Sequence, residues 1–246
     1  MQPHLSSTFV VVLEYCGGIR TDSLVAALRE WNPEDTINVL DNGSTRNVCK
    51  SVTRWNKMNS NIGGGIRDCI ALANASGAKF LLFIANDVQF VRPLQVAHFR
   101  RMAESDANIV HISASVTPGS HQAKHFPWMV DTGTGSDRVV WHADILVSLL
   151  NIEFIHSFGG FPESKGGWGY SWELAFHALR RGRRILIAEQ CVVHHDSIPQ
   201  EGTDIQEIRA AKDREMLEVY KARYGNIPWI NFRKQLVERS SSLESR

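Results

Sequence analysis

Residues 8–13 (Thr-Phe-Val-Val-Val-Leu) and 80–85 (Phe-Leu-Leu-Phe-Ile-Ala) are continuous β-branched and apolar runs with no polar alternation. A strand with one wet face alternates, so runs of this kind belong in a sheet covered on both faces, and such sheets are normally parallel. Parallel neighbours need long crossovers, most often helices. The intervening residues provide them. Leu24, Val25, Leu28 and Trp31 fall at helical spacing within 22–31, and Pro33 ends that helix. Residues 36–40 read as a second short strand, broken by the turn residues Asp41-Asn42-Gly43-Ser44. Further helices are predicted over 65–75 and 93–103, and a further strand over 109–113. This alternation predicts an α/β fold with a mostly parallel sheet and right-handed crossovers.

The second half is less regular. Residues 115–137 are rich in Gly, Ser, Thr, His and Pro without a period, and unstructured loops this long are usually functional. A strand is expected over 139–141, a helix over 143–150 and a glycine-rich turn over 158–169. A helix over 171–181, short strands over 185–188 and 191–194, and an amphipathic helix over 204–224 follow. The domain reading is one unit over 1–238, with a nucleotide-binding half (8–114), an acceptor half (115–238) and a flexible tail at 239–246.

Composition narrows the class. With 246 residues, 43% hydrophobic and 22% charged, the chain suits one large soluble domain. Its net charge of +1 creates no overall field for nucleic acid, and no nucleic-acid partner is expected. The four cysteines lack any Cys-x-x-Cys spacing, so free thiols in a reducing compartment are the simplest reading. No stretch approaches about 18 apolar residues, and the first residues lack a basic, apolar leader pattern. A cytoplasmic location follows, with peripheral contact at a membrane surface left open. Arg180-Arg181-Gly182-Arg183-Arg184 reads first as a helix C-terminus capped at Gly182, and otherwise as a contact for phosphates or anionic lipid.

In open α/β sheets, ligands bind outside the carboxyl ends of the strands. Asn86-Asp87 closes the run at 80–85, so the carboxylate sits where a phosphate or metal would be met; the plain alternative is an Asn-Asp turn. Upstream, Asn61-Ile62-Gly63-Gly64-Gly65-Ile66-Arg67-Asp68 joins a glycine-rich turn to a helix start.

Asp41-Asn42-Gly43-Ser44, then Asn59-Ser60-Asn61-Ile62-Gly63 with Arg67, then Asn86-Asp87 stand in a recognisable order. The chain resembles the nucleotide-sugar glycosyltransferases of the GT-A fold, particularly the inverting family 2, over residues 8–92. The resemblance implies a Rossmann-like central sheet flanked by helices, with a loop-rich acceptor side. It implies transfer of a sugar from a UDP-, GDP- or dTDP-sugar to a hydroxyl of a glycan, lipid or other acceptor, with Mn²⁺ or Mg²⁺ on the diphosphate. Carried over by position, Tyr15, Asp41, Asn61, Arg67 and Asn86 would contact the donor, and Asp87 would hold the metal. Asp68 stands where the family commonly has Asn. A single carboxylate suits a hard cation whose other ligands are phosphate oxygens and waters.

Gly159-Gly160-Phe161-Pro162-Glu163 and Gly167-Trp168-Gly169 resemble the family's acceptor-side turns. Aligning Trp172 with the family's tryptophan puts Ser171 at the usual position of the base aspartate. Glu173 is then the nearest carboxylate and the first candidate for the base, with Glu163 and Asp144 as weaker ones. Cys191-Val192-Val193-His194-His195-Asp196 resembles the family's final core strand, with His195 the best-fitting metal ligand and His194 its alternate. Trp141 and Trp172 suit the core, Trp168 an exposed place in the cleft. Residues 115–137, with His121, His125 and Trp128, suit a lid. Two other readings remain: a sugar-phosphate nucleotidyltransferase, for which Cys16-Gly17-Gly18-Ile19-Arg20 is a poor glycine-rich loop, and a degenerate sugar-nucleotide binder, which Ser171 keeps open.

Overall fold

The uninterrupted apolar runs become the most deeply buried strands of the molecule. A computed structural model describes residues 7–196 and 205–225; the tail expected at 239–246 lies outside them. The first half contains β1 (Thr8–Glu14), α1 (Ile19–Trp31), β2 (Ile37–Asp41), β3 (Arg54–Trp55), α2 (Asn61–Ala75), β4 (Phe80–Ala85), β5 (Val88–Phe90), α3 (Val96–Ser105) and β6 (Ile109–Val116). The second contains α4 (His121–His125), β7 (Arg138–Val140), β8 (Val147–Asn151), α5 (Ile152–Ser157), α6 (Tyr170–Arg180), β9 (Arg184–His195) and α7 (Ile205–Tyr224).

One nine-stranded sheet runs through both halves in the order β3-β2-β1-β4-β8-β6-β9-β5, with β7 paired to β9. β1 lies parallel between β2 and β4, with Val12 opposite Val39 on one side and Ile84 on the other. Val11, Val12, Leu81, Leu82, Phe83 and Ile84 are fully buried, because α1 and α2 cover faces that carry no polar side chain.

Two expectations from the second half are corrected. The stretch 143–150 forms no helix; its later part is the strand β8, antiparallel to both β4 and β6. Its run Ile145-Leu146-Val147-Ser148-Leu149-Leu150 has no period that separates a buried strand from a buried helix turn, and the two flanking strands decide the matter by taking up its backbone hydrogen bonds. The two short strands expected at 185–188 and 191–194 are one strand, β9, whose register against β6 slips between Ala114 and Ser115. Glu189 lies at that irregularity, fully buried and ion-paired with Arg138.

Elsewhere the local signals hold. At the end of α6, Arg183 N–H donates to Ala178 O at 2.8 Å around Gly182, whose φ is +62°. The arginine cluster thus contains a capped helix end, as its first reading has it. The segment 115–137 holds α4 and a 3-10 turn at Pro127–Met129, with Trp128 and Met129 buried.

Candidate active site

β1, β2, β4, β6 and β9 all run in one direction, so their carboxyl ends share one rim. Glu14 is registered opposite Asp41, and Leu13 opposite Ala85, immediately before Asn86-Asp87. β8 runs the other way and therefore begins at this rim: Val147 faces Ile84, and Ala85 N–H donates to Leu146 O at 2.8 Å. That brings Asp144, just upstream of β8, to the same edge.

Asp87 and His195 meet at the centre. His195 pairs with Val88 across β5 and β9, which sets its Nε2 3.0 Å from Asp87 Oδ2. Its Nδ1 lies 2.9 Å from Gln122 Oε1, and its backbone N–H donates to Ser120 Oγ at 3.1 Å. Gln122 Nε2 in turn donates to Asp144 Oδ2 at 3.4 Å, so a chain of polar contacts runs Asp87–His195–Gln122–Asp144. Burial opposes ionisation of Asp87, but the His195 hydrogen bond and charge, with Arg20 further off, hold its carboxyl below the usual range. Burial likewise opposes a charged His195, and the Asp87 contact with the charges of Asp144 and Asp196 raises it nonetheless. Burial raises the Asp144 carboxyl. His194, the alternate ligand, turns instead to Thr117 Oγ1 at 2.6 Å and Asp196 at 3.0 Å.

A cation can be tested against these donors. Asp87 and His195 offer one carboxylate and one imidazole nitrogen, and the contact of Gln122 with Nδ1 orients the ring. No cluster of three or more His, Cys, Asp or Glu side chains suited to a metal occurs among the described residues. A two-ligand protein contribution fits an octahedral cation that shares its remaining positions with a diphosphate and water.

Glu14, missed in the motif reading, organises the rim beside Asp87. Its fully buried carboxylate accepts from Gly17 N–H at 2.5 Å, Gly18 N–H at 3.2 Å, the Thr21 hydroxyl and Asn86 Nδ2 at 2.6 Å. Asn86 is thus a tie between the β1 and β4 loops, and its amide is committed to Glu14. A charged residue ending an otherwise apolar run was the available signal. Tyr15, the expected base-stacking residue, is half-buried in the adjoining loop.

Around β2, Ser44 N–H donates to Asp41 Oδ1 at 2.7 Å, and Cys16 N–H donates to Ser44 Oγ at 2.8 Å, joining the first two loops. Asn42 then fixes the start of α2. Its Nδ2 donates to Asn61 O at 3.0 Å, and its Oδ1 accepts from the Ser60 hydroxyl at 2.7 Å. Asn61 itself is exposed with φ +59°. Asp68, where the family has Asn, accepts from Asn56 Nδ2 at 2.8 Å.

Four residues singled out in the sequence have other partners than the Asp87–His195 pair. Arg67 reaches Glu163 at 3.8 Å, on the glycine-rich turn over 158–169; the arginine whose charge reaches Asp87 is Arg20. Glu173 lies under α7, only 1% exposed, held by Arg223 Nε at 3.0 Å and the hydroxyls of Tyr220 and Tyr224. Ser171 is buried with its hydroxyl 3.0 Å from His142 Nε2, and His142 stacks on Trp172 at 3.9 Å. Trp168 is half-buried with Lys212 Nζ 5.6 Å from its ring centre, so α7 partly covers the residue expected to stand open in the cleft.

No protein-family model and no curated protein matches the sequence. Among solved structures, the chain is similar to GalNAc-T7, solved with UDP, GalNAc and Mn²⁺, with a TM-score of 0.60 at 12% identity over 79% of this chain. The chain has the GT-A fold. It spans 44% of the length of that structure, and at this identity the likeness is one of architecture. It does not single out the inverting family 2 that the motifs resemble. No helix among the described residues is long and apolar enough to cross a membrane.

Proposed function

We propose that this chain is a glycosyltransferase that takes a sugar from a nucleoside diphosphate and delivers it to an acceptor hydroxyl. The observation that carries the reading is the meeting of Asp87 with His195 at 3.0 Å, on the rim where a GT-A sheet presents its strand ends. Asp87 and His195 would hold Mn²⁺ or Mg²⁺, which when bound supplies positive charge against the departing diphosphate. Asp41, whose Oδ1 accepts from Ser44 N–H, would meet the ribose or base, and Tyr15 in the adjoining loop would offer a ring for the base. Arg20 adds positive charge on the Asp87 side of the rim. UDP, present in the GalNAc-T7 structure, is the first donor nucleotide to test, with GDP and dTDP alongside.

The transfer forms a bond from the acceptor oxygen to the anomeric carbon as the bond from that carbon to the phosphate oxygen breaks. The acceptor proton needs a base within about 3 Å. We assign that role to Asp144 in place of Glu173. Asp144 stands at the rim, three hydrogen bonds from Asp87 through His195 and Gln122, and burial raises its carboxyl. In-line displacement assisted by such a base inverts the anomeric configuration. The nucleotidyltransferase reading loses support, because Glu14 already occupies the N–H groups of Gly17 and Gly18 that a phosphate-cradling loop would use. Binding of a sugar nucleotide without turnover is the second reading, favoured by Ser171 at the family's base position, buried against His142.

Melting of the protein with UDP, GDP and dTDP, with and without Mn²⁺, tests the reading. A nucleoside diphosphate at a hundredfold its Kd raises stability by about 2.7 kcal/mol. That gain should need Mn²⁺ and vanish in Asp87→Ala and His195→Ala. No response to any of the three, or one indifferent to Mn²⁺ and to both substitutions, overturns the proposal.

A further inference from the structure

Beyond Asp41, the proposed nucleotide contact, the β2–β3 edge of the sheet carries exposed side chains to which the transfer gives no role. Residues 42–66 contain four cations, Arg46, Lys50, Arg54 and Lys57, and no carboxylate, although the whole chain has a net charge of only +1. All four are exposed, and none is ion-paired among the described residues. Large apolar side chains stand exposed between them: Trp55 is 67% accessible, Met58 80%, Val48 51% and Ile62 40%, with Ile19 at 84% beside them.

The segments that carry these residues meet at one edge of the sheet. Trp55 is registered opposite Asp41 on the two-residue edge strand β3. Gly43 packs so closely on Met58 and Asn59 that a side chain would not fit there, and Gly18 packs likewise on Asn47, next to Val48. The result is a collar of alternating cations and exposed apolar groups at one edge of the sheet.

Cations interleaved with a tryptophan and with aliphatic side chains match the interfacial layer of an anionic bilayer. Lipid phosphates meet the Lys and Arg heads, while Trp55 suits the headgroup depth. A nucleic acid would use the cations and Trp55, but Val48, Met58, Ile62 and Ile19 have nothing to stack on or pair with there. We propose that this collar docks the protein on an anionic membrane surface. The charges act additively to first order, each worth about five-fold in affinity near such a surface.

Co-sedimentation of the full chain with phosphatidylcholine vesicles, with and without phosphatidylglycerol, tests this. Binding should require the anionic lipid and fall as salt is raised. Arg54→Ser with Lys57→Ser should weaken it by roughly thirty-fold. Trp55→Ser with Met58→Ser should weaken it on the same vesicles by removing the apolar anchors. Cooperative melting of each variant identifies those that still fold. Asp87→Ala should bind vesicles like the parent, so failure of the nucleotide reading leaves this result separate. No binding to anionic vesicles, equal binding by both double variants and the parent, or tighter binding to single-stranded RNA or an acidic peptide overturns the proposal.

Discussion

Asn86 Nδ2 stands 2.6 Å from Glu14 Oε2, so the residue next to Asp87 is tied to the end of the neighbouring strand. Glu14 is thereby the hub of the rim, with four donors converging on one buried carboxylate. Neighbouring parallel strands bring the two loops together; the carboxylate locks them.

Glu14→Ala should therefore do more than remove one contact. It leaves the Gly17 and Gly18 N–H groups and the Asn86 amide without their acceptor. A hydrogen bond to a charged group contributes about 1.5–3 kcal/mol. A loss of about 3 kcal/mol in urea unfolding is expected, together with weaker Mn²⁺-dependent binding of UDP. A variant as stable as the parent would show that the loop finds other acceptors.

Turnover separates Asp144 from Glu173. Removing a general base typically lowers kcat by about 10²- to 10⁴-fold. Asp144→Asn should show a loss of that size with donor affinity little changed, whereas Glu173→Gln should keep kcat within about a factor of five. The opposite ranking would return the base to Glu173.

Glu173 carries a pH signature of its own. Burial pushes its carboxyl from 4.5 to about 6, against the opposing pull of Tyr224, Arg223 and Tyr220. The folded state then holds this proton more tightly than the unfolded chain. The resulting stability is present below pH 4.5 and lost as pH rises through 6, a change of about 2 kcal/mol. Urea unfolding of parent and Glu173→Gln on either side of that window should reveal it as a difference between the two. A difference that does not vary with pH contradicts the assignment.

Gly63 tests how the two halves of the rim are joined. Its N–H donates to Lys165 O at 2.9 Å, and an added methyl would collide with the backbone of Ser164 and, at 2.7 Å, with Gly167 N. Overpacking against rigid backbone typically costs about 1–3 kcal/mol. Gly63→Ala should lower the unfolding midpoint accordingly. Gly77→Ala, where only the φ of +74° is unfavourable and no atom lies within 4 Å, measures backbone strain without the collision. Equal losses in the two would mean that the close approach at Gly63 relaxes without penalty.

The strands of the first half were legible because their burial is written in local composition. Strands at 8–13, 36–40 and 80–85 appear as β1, β2 and β4 within a residue at either end, and Asp41 and Asp87 stand at or just beyond their carboxyl ends. Arg20 and Gln122 were not legible. Each takes its role from a partner far away in the chain, as Gln122 does with His195. Glu173 is the candidate base by its place two residues after Ser171, and its enclosure by Tyr220, Tyr224 and Arg223 from α7 was equally out of reach of the local sequence.

The amino-acid sequence alone determined the parallel α/β core, the turn at Asp41 and the acid that ends β4, because continuous hydrophobic runs and turn residues act over a few neighbours. Only the tertiary structure decided that β8 is a strand and that Asp144 reaches the rim, since an antiparallel insertion depends on the hydrogen-bonding edges of β4 and β6 and not on its own short apolar pattern. The pairing of Asp87 with His195 is of the same kind: 108 residues separate them, and the antiparallel register of β5 on β9 closes that distance.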